Sequence, residues 1–259
     1  MRFAKAYRSV AVRLRYHLER LGLLSGGYPR IVVQRAILPH GISFEVANLT
    51  EYNRVFDMDE EENCLRFLLD RLSPEDVFFD VGACIGVFTL HAACKCRRVL
   101  AFEPDEGFRQ HLYRNIALNK VTNVEVIPWA VSDRSATVPL FTDGVAGRSP
   151  SLANSGFGGQ VLIETHALDD EVARGGLPLP DVIKMDIEGA EILALRGMRK
   201  LLTSFPPRYI YVEIHPQALP GFSSSKQEVM EIFDAAGYRV VLHLPRGLEE
   251  HYVFSAAPH

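Results

Sequence analysis

The chain has 259 residues, with 28 Lys and Arg against 32 Asp and Glu, a net charge of −4, and 47% hydrophobic residues. That balance is ordinary for a soluble globular domain and excludes a disordered tail, a collagen-like repeat and a disulfide scaffold. The length suits one domain of about 200–250 residues with an extension, or equally two small domains, and the acidic surplus argues against a dedicated nucleic-acid binder. The four cysteines, Cys64, Cys84, Cys94 and Cys96, form no CxxC pair and no zinc set. The longest charge-free apolar stretch, residues 81–94, is shorter than the ~20 residues a membrane helix needs. No secretory apolar core opens the chain. A cytoplasmic protein is expected.

In chain order, residues 1–24 read as a basic amphipathic helix. Phe3, Tyr7, Val10, Leu14, Leu18 and Leu21 share one face, and six basic residues meet only Glu19. Such a helix packs on the body or touches a membrane surface or partner. Residues 31–37 and 42–46 alternate around His40-Gly41, the pattern of a β-hairpin. A helix with acidic residues at its start follows over 59–72.

From Pro74 the rhythm becomes strand, helix, strand. Strands are expected at 77–81, 99–102, 124–127, 182–185, 209–212, 239–244 and 251–254. Helices are expected from the glycines after 81 to about 96, and at 105–119, 188–202 and 226–236. This alternation predicts a doubly wound α/β fold, a mostly parallel sheet in a three-layer sandwich. The helix and hairpin extension would occupy residues 1–73 and the sheet domain 74–259. Residues 143–159, rich in Gly, Ser and Asn, read as a long loop and thus a candidate lid. Arg148 and Ser151 within it are candidate acceptor contacts.

The chemistry gathers at strand ends. Asp80 closes a buried strand, and Gly82 and Gly86 open the following helix. Gly82 lets backbone pass close to a ligand, and Gly86 lets helix and strand approach. The spacing is DxGxxxG and not the GxGxxG of nicotinamide-dependent dehydrogenases, and Asp80 would repel a pyrophosphate. A carboxylate there suits an ammonium, such as the amino-acid end of S-adenosylmethionine. Glu103 ends the next strand, where an acidic residue accepts both ribose hydroxyls. Trp129 and Ala130 end the third, beside the expected adenine. The fourth delivers Lys184, Asp186, Glu188 and Glu191, and the fifth Glu213 and His215. The first turn of a helix explains Glu188 and Glu191 by its dipole alone. Asp186, Glu213 and His215 have no such structural excuse.

The runs VFFDVGACIGVFTLHAA, AFEPDEGFRQHLYRNIALN, WAVSD, DVIKMDIEGAEILALRGM and YVEIHP resemble, in order, the FkbM-type family of S-adenosylmethionine-dependent methyltransferases. KMDIEGAE is the specific part; DVGACIG alone would indicate only a class I methyltransferase. Members typically carry Asn where this chain has Cys84, a departure that should leave the turn intact. The resemblance implies a Rossmann-like seven-stranded sheet, S-adenosylmethionine as donor and, most often, a hydroxyl acceptor on a sugar, polyketide or other secondary metabolite.

Methyl transfer to a hydroxyl needs alignment and a base within hydrogen-bond reach. His215 is the first candidate because an unperturbed imidazole titrates near neutrality. Asp186 competes for that role, Glu213 would orient His215 or hold the acceptor, and Glu188 would contact the acceptor. Asp186, Glu213 and His215 could also form a carboxylate–histidine metal set, but the resemblance implies no metal and none is expected. The rivals are a nicotinamide-dependent oxidoreductase, which lacks its fingerprint here, and a non-catalytic cofactor-binding module.

Overall fold

The structure, a computed structural model, describes residues 30–56, 58, 60–141, 150–152 and 159–256. The helix expected over 1–24, Arg148 and most of the loop 143–159 lie outside the described residues.

Seven strands form the main sheet: β3 (Val77–Val81), β4 (Arg98–Phe102), β5 (Val124–Ile127), β9 (Val182–Met185), β10 (Tyr209–Ile214), β11 (Tyr238–Arg246) and β12 (Glu249–Ala256). Their spatial order is β11-β12-β10-β9-β3-β4-β5. The five strands from β10 to β5 are parallel, while β12 pairs antiparallel with β10 and β11 with β12. Every residue of β3 and β9 is buried, which explains why these strands read as continuous apolar runs without alternation. Chain order reverses at β3, between β4 and β9. The crevice at the carboxyl ends there is where open α/β sheets bind ligands.

Helices cover both faces. One hydrophobic cluster joins Phe79, Phe102 and Met185 to α6 (Glu191–Arg196), α7 (Arg199–Ser204) and α8 (Lys226–Ala235). The other joins Phe78, Phe88 and Tyr211 to α2 (Glu60–Leu69), α3 (Val87–Ala93) and the hairpin of β1 (Ile31–Arg35) and β2 (Ile42–Val46). Phe44, Val55 and Leu65 of the extension are fully buried in that second cluster. The extension therefore shares a core with the sheet. Hydrogen bonds strengthen the join: Asn115 and Asn119 of α4 (Glu106–Leu118 and its cap) engage the backbone of Glu45 and Ser43 at 2.7–2.9 Å.

Three elements depart from the sequence expectation. A helix, α1 (Leu49–Phe56), follows the hairpin. The segment after β5 forms a second sheet, ordered β6-β8-β7, from β6 (Ala130–Val131), β7 (Ala136–Phe141) and β8 (Gln160–His166), followed by α5 (Leu168–Ala173). The helix expected over 188–202 is two, α6 and α7, and starts at Glu191. Glu188 (φ 54°) and Gly189 (φ 99°) lie in left-handed backbone, which no right-handed helix accommodates.

Candidate active site

The turn from β3 into α3 is built on left-handed backbone at Gly82 (φ 81°), Cys84 (φ 50°) and Gly86 (φ 94°). A Cβ on Gly82 would overlap the carbonyl oxygen of Asp186, and one on Gly86 would press on Leu112. Gly82 thus lets β3 and β9 end side by side, and Gly86 lets α4 approach. Gly82→Ala should cost more than about 1 kcal/mol, read by chemical denaturation; an unchanged midpoint would show that the strand ends separate freely. Cys84 keeps the turn that an Asn would make, and its N–H donates to Glu103 Oε2 at 2.8 Å.

Asp80, expected to meet an ammonium, is buried and lines neither of the two clefts beside this turn. It is 1% exposed, accepts from Thr89 Oγ1 at 2.5 Å and stands 3.4 Å from Lys184 Nζ. Burial raises its pKa, and Lys184 and Thr89 pull it back. Lys184 donates to the Gly82 carbonyl at 2.6 Å and lies 3.9 Å from Asp186. Burial disfavours its charge, but Asp80, Asp186, Glu61 and Glu213 outweigh this and raise its pKa. Asp80 thus meets a buried cation from the neighbouring strand β9. Its work is to hold the turn from beneath.

Beside that turn lies a cavity lined by Val81, Gly82, Cys84, Phe102, Glu103, Phe108, Ala130, Val131, Leu140 and Leu152, together with Arg54, Asp186 and Glu188. Glu103 is buried, and its Oε1 accepts from Asp105 N at 2.9 Å. Each carboxylate oxygen retains a further lone pair. Burial pushes Glu103 up to about 7, against the pull of the Asp105 and Cys84 amides. Trp129 does not line this cavity; its ring packs 5.0 Å from Phe102 and 4.8 Å from His166. Successive residues of an extended chain face opposite ways, so Ala130 faces the cavity and Trp129 backs its wall.

The Glu103 shift has a stability consequence. The folded chain binds this proton more tightly than the unfolded chain, so the associated stabilisation is complete below about pH 4.5 and is lost as pH rises through about 7. Glu103→Gln should flatten the fall in stability between those limits, measured by denaturation at several pH values. An identical slope in the variant would remove Glu103 as its source.

A second, open cleft adjoins the first. Its lining is wholly polar: Thr50, Asn53, Arg54, Glu61, Asp186, Glu188, Glu213, His215, Arg246 and Glu249. Arg54, Asp186 and Glu188 border both. The structure thus brings together Asp186, Glu188, Glu213 and His215, as expected. His215 is not oriented by Glu213, however. Its Nδ1 lies 2.8 Å from Glu191 Oε1, while Nε2 stands 3.6 Å from Glu188, 3.8 Å from Glu213 and 3.9 Å from Asp186. Burial disfavours the imidazolium, but the Glu191 hydrogen bond and the charges of Glu191, Asp186 and Glu188 prevail and push His215 up to about 10. Burial, with Asp186 and Glu61 close by, pushes Glu213 up to about 10 as well. Both groups hold their protons at neutral pH, which corrects the near-neutral imidazole that made His215 the first candidate for the base.

Three overlapping trios, Asp186/Glu188/His215, Glu213/His215/Glu249 and Glu61/Asp186/Glu213, bring donor atoms within 4.8 Å of one another. The cationic partners Arg54, Arg246 and His215 share that cleft with these acids. Ser151 serves the backbone: its hydroxyl donates to the Glu188 carbonyl at 2.9 Å, and its main chain bridges Phe141. Arg54 was missed in the sequence. It sits on α1 and donates to Cys84 Sγ at 3.1 Å. Its helix carries a legible start signal, Asn48-x-x-Glu51, a capping box in which Asn48 accepts from Glu51 N and Glu51 from Ala47 N.

Residues 80–240, more than half of the chain, match the methyltransferase FkbM domain. The chain belongs to the FkbM methyltransferase family. This FkbM methyltransferase is 31% identical over 174 residues to the hexuronic acid methyltransferase AglP of Haloferax volcanii, covering 66% of this chain and 70% of that protein. It is 26% identical over 196 residues to the 2-O-methyltransferase NoeI of Sinorhizobium fredii, covering 68% of this chain and 77% of that protein. An rRNA methylase of Streptococcus thermophilus shares the fold alone, at a TM-score of 0.51 and 13% identity over 76% of this chain and 96% of that one. The oxidoreductase reading falls with the family assignment. No helix among the described residues is long and apolar enough to cross a membrane.

Proposed function

We propose that the protein transfers a methyl group from S-adenosylmethionine to a hydroxyl of a small sugar-like acceptor. The observation that carries this reading is the pair of adjoining cavities, one largely apolar with a buried carboxylate and one wholly polar, which share Asp186, Glu188 and Arg54. The first fits the donor. Phe102, Phe108, Ala130, Val131 and Leu140 offer an apolar seat for a purine, and Glu103 has lone pairs for ribose hydroxyls. When bound, S-adenosylmethionine supplies an electrophilic methyl on a sulfonium.

The chain's own residues do the rest. The polar cleft suits a polyhydroxylated acceptor, and the chain's similarity to a hexuronic acid methyltransferase, AglP, and a 2-O-methyltransferase, NoeI, supports that class. Alignment of the hydroxyl is the main contribution. Asp186 accepts its proton: it borders both cavities, whereas His215 and Glu213 are already protonated at neutral pH. His215 and Glu213 then act as donors that orient acceptor oxygens. Residues 74–259 carry the transfer, and the extension contributes Arg54 and Glu61 to the wall. Four free cysteines among the described residues support a reducing, cytoplasmic setting.

Calorimetry with S-adenosylmethionine, followed by transfer of its labelled methyl to a panel of hexoses and hexuronic acids, tests the reading. Binding and a methylated sugar are expected. Binding of NAD instead, or the absence of any methylated sugar, would overturn it.

A further inference from the structure

We propose that Glu191 is the positioning residue of the polar cleft, holding the His215 ring through Nδ1 so that Nε2–H is presented to the acceptor. This rests on the reading of that cleft as the acceptor site.

Glu191 touches neither cavity as a hydrogen-bonding wall of the cleft; it is wholly buried behind it, at 0% exposure. Its Oε1 accepts from the Gly189 amide at 2.9 Å and lies 2.8 Å from His215 Nδ1, while its Oε2 has no hydrogen-bond partner. A buried carboxylate so sparsely solvated needs a compensating cation, and the imidazole is the titratable group in contact with it. A ring nitrogen facing a carboxylate carries its proton there, which fixes which nitrogen donates and how the ring is turned. With Nδ1–H committed to Glu191, the other edge of the ring is aimed at the cleft.

That edge has few alternatives. Around Nε2 stand Glu188, Glu213 and Asp186, all 3.6–3.9 Å away and beyond good hydrogen-bond length. Arg54, Arg246, Glu61 and Glu249 line the same cleft. An acceptor oxygen entering among these groups would complete the bond that none of the described residues makes. An oxygen next to the one facing Asp186 fits this arrangement, so the dyad favours acceptors with neighbouring oxygens over isolated alcohols.

Glu191 also holds the strained turn at Glu188 and Gly189, so a purely structural role must be separated from positioning. Nitrogen-15 NMR of the free protein at neutral pH reads the ring directly. Both His215 nitrogens are expected protonated, with Nδ1–H protected from exchange; an unprotonated Nδ1 in the wild type would overturn the proposal without any variant. In Glu191→Gln the Nδ1–H signal should be lost to exchange, and Glu191→Asp should restore it in part. An unchanged His215 spectrum in a folded Glu191→Gln protein would also overturn it. In the transfer assay Glu191→Gln should lower kcat about 10-fold or more, with the KM for S-adenosylmethionine unchanged. If the wild type methylates no sugar, the functional reading fails while the NMR result still decides the role of Glu191.

Discussion

Lys184→Met is expected to destabilise the fold by about 3–5 kcal/mol, the usual loss when one partner of a buried ion pair is removed. The substitution would leave Asp80 at 1% exposure with Thr89 as its remaining side-chain donor. It would also remove the donor that holds the Gly82 carbonyl at 2.6 Å. The loss should therefore appear twice: as a lower denaturation midpoint, and as weaker S-adenosylmethionine binding in the fraction that folds. Adding Asp80→Asn should recover part of the stability, because the orphaned charge is gone, but less of the binding, because the turn is still untethered. A single variant within 1 kcal/mol of wild type would show that water or a shift of the strands replaces the lysine. Neither the pair nor the turn would then depend on it.

Asp186→Asn should lower kcat by about 10²–10⁴, the range of a positioned general base, while the midpoint of unfolding stays close to wild type. Asn has the same shape and can still accept one hydrogen bond, so the neighbouring Lys184 at 3.9 Å loses only a distant charge. His215→Gln should cost less, because an amide can still donate toward the cleft. Single-turnover rates with a sugar acceptor would rank the two. If the His215 variant were the slower by tenfold or more, the proton would leave through the imidazole and the assignment to Asp186 would be wrong.

The sheet was legible because β3, β4, β9 and β10 are buried on both faces, and continuous apolar runs broken by glycine carry that signal in the chain itself. The clustering of Asp186, Glu188, Glu213 and His215 was legible for a related reason, since parallel strands deliver their carboxyl ends to one edge. What escaped depends on contacts far apart in sequence. Nothing local to Asp80 reveals that Lys184, on a strand 104 positions later, stands beside it. Nothing local to Trp129 reveals that Phe102 and His166 occupy its faces. The β6-β8-β7 sheet was obscured by polar and exposed positions along β8, which blur any periodicity. The early break before α6 is set by backbone at Glu188 that an unaided propensity argument reads as helix. Arg54 was hidden differently: the capping box of α1 was readable, but its eight-residue helix belongs to an extension that looked remote from the site.

The wall formed by Arg54, Asp186 and Glu188 belongs to both cavities at once, and this makes their two occupants thermodynamic partners. Any free energy by which a molecule in one cavity repositions these side chains in favour of the other must be returned in equal measure when the order of arrival is reversed. On the proposed reading, the wall borders both a cationic sulfonium and a neutral hydroxyl before transfer. Afterwards, the sulfur has lost its charge and the hydroxyl has gained a methyl in place of its proton. The same three side chains therefore face a different charge balance on each side of the reaction, and a cooperativity that favours assembly of the substrates need not hold the products together.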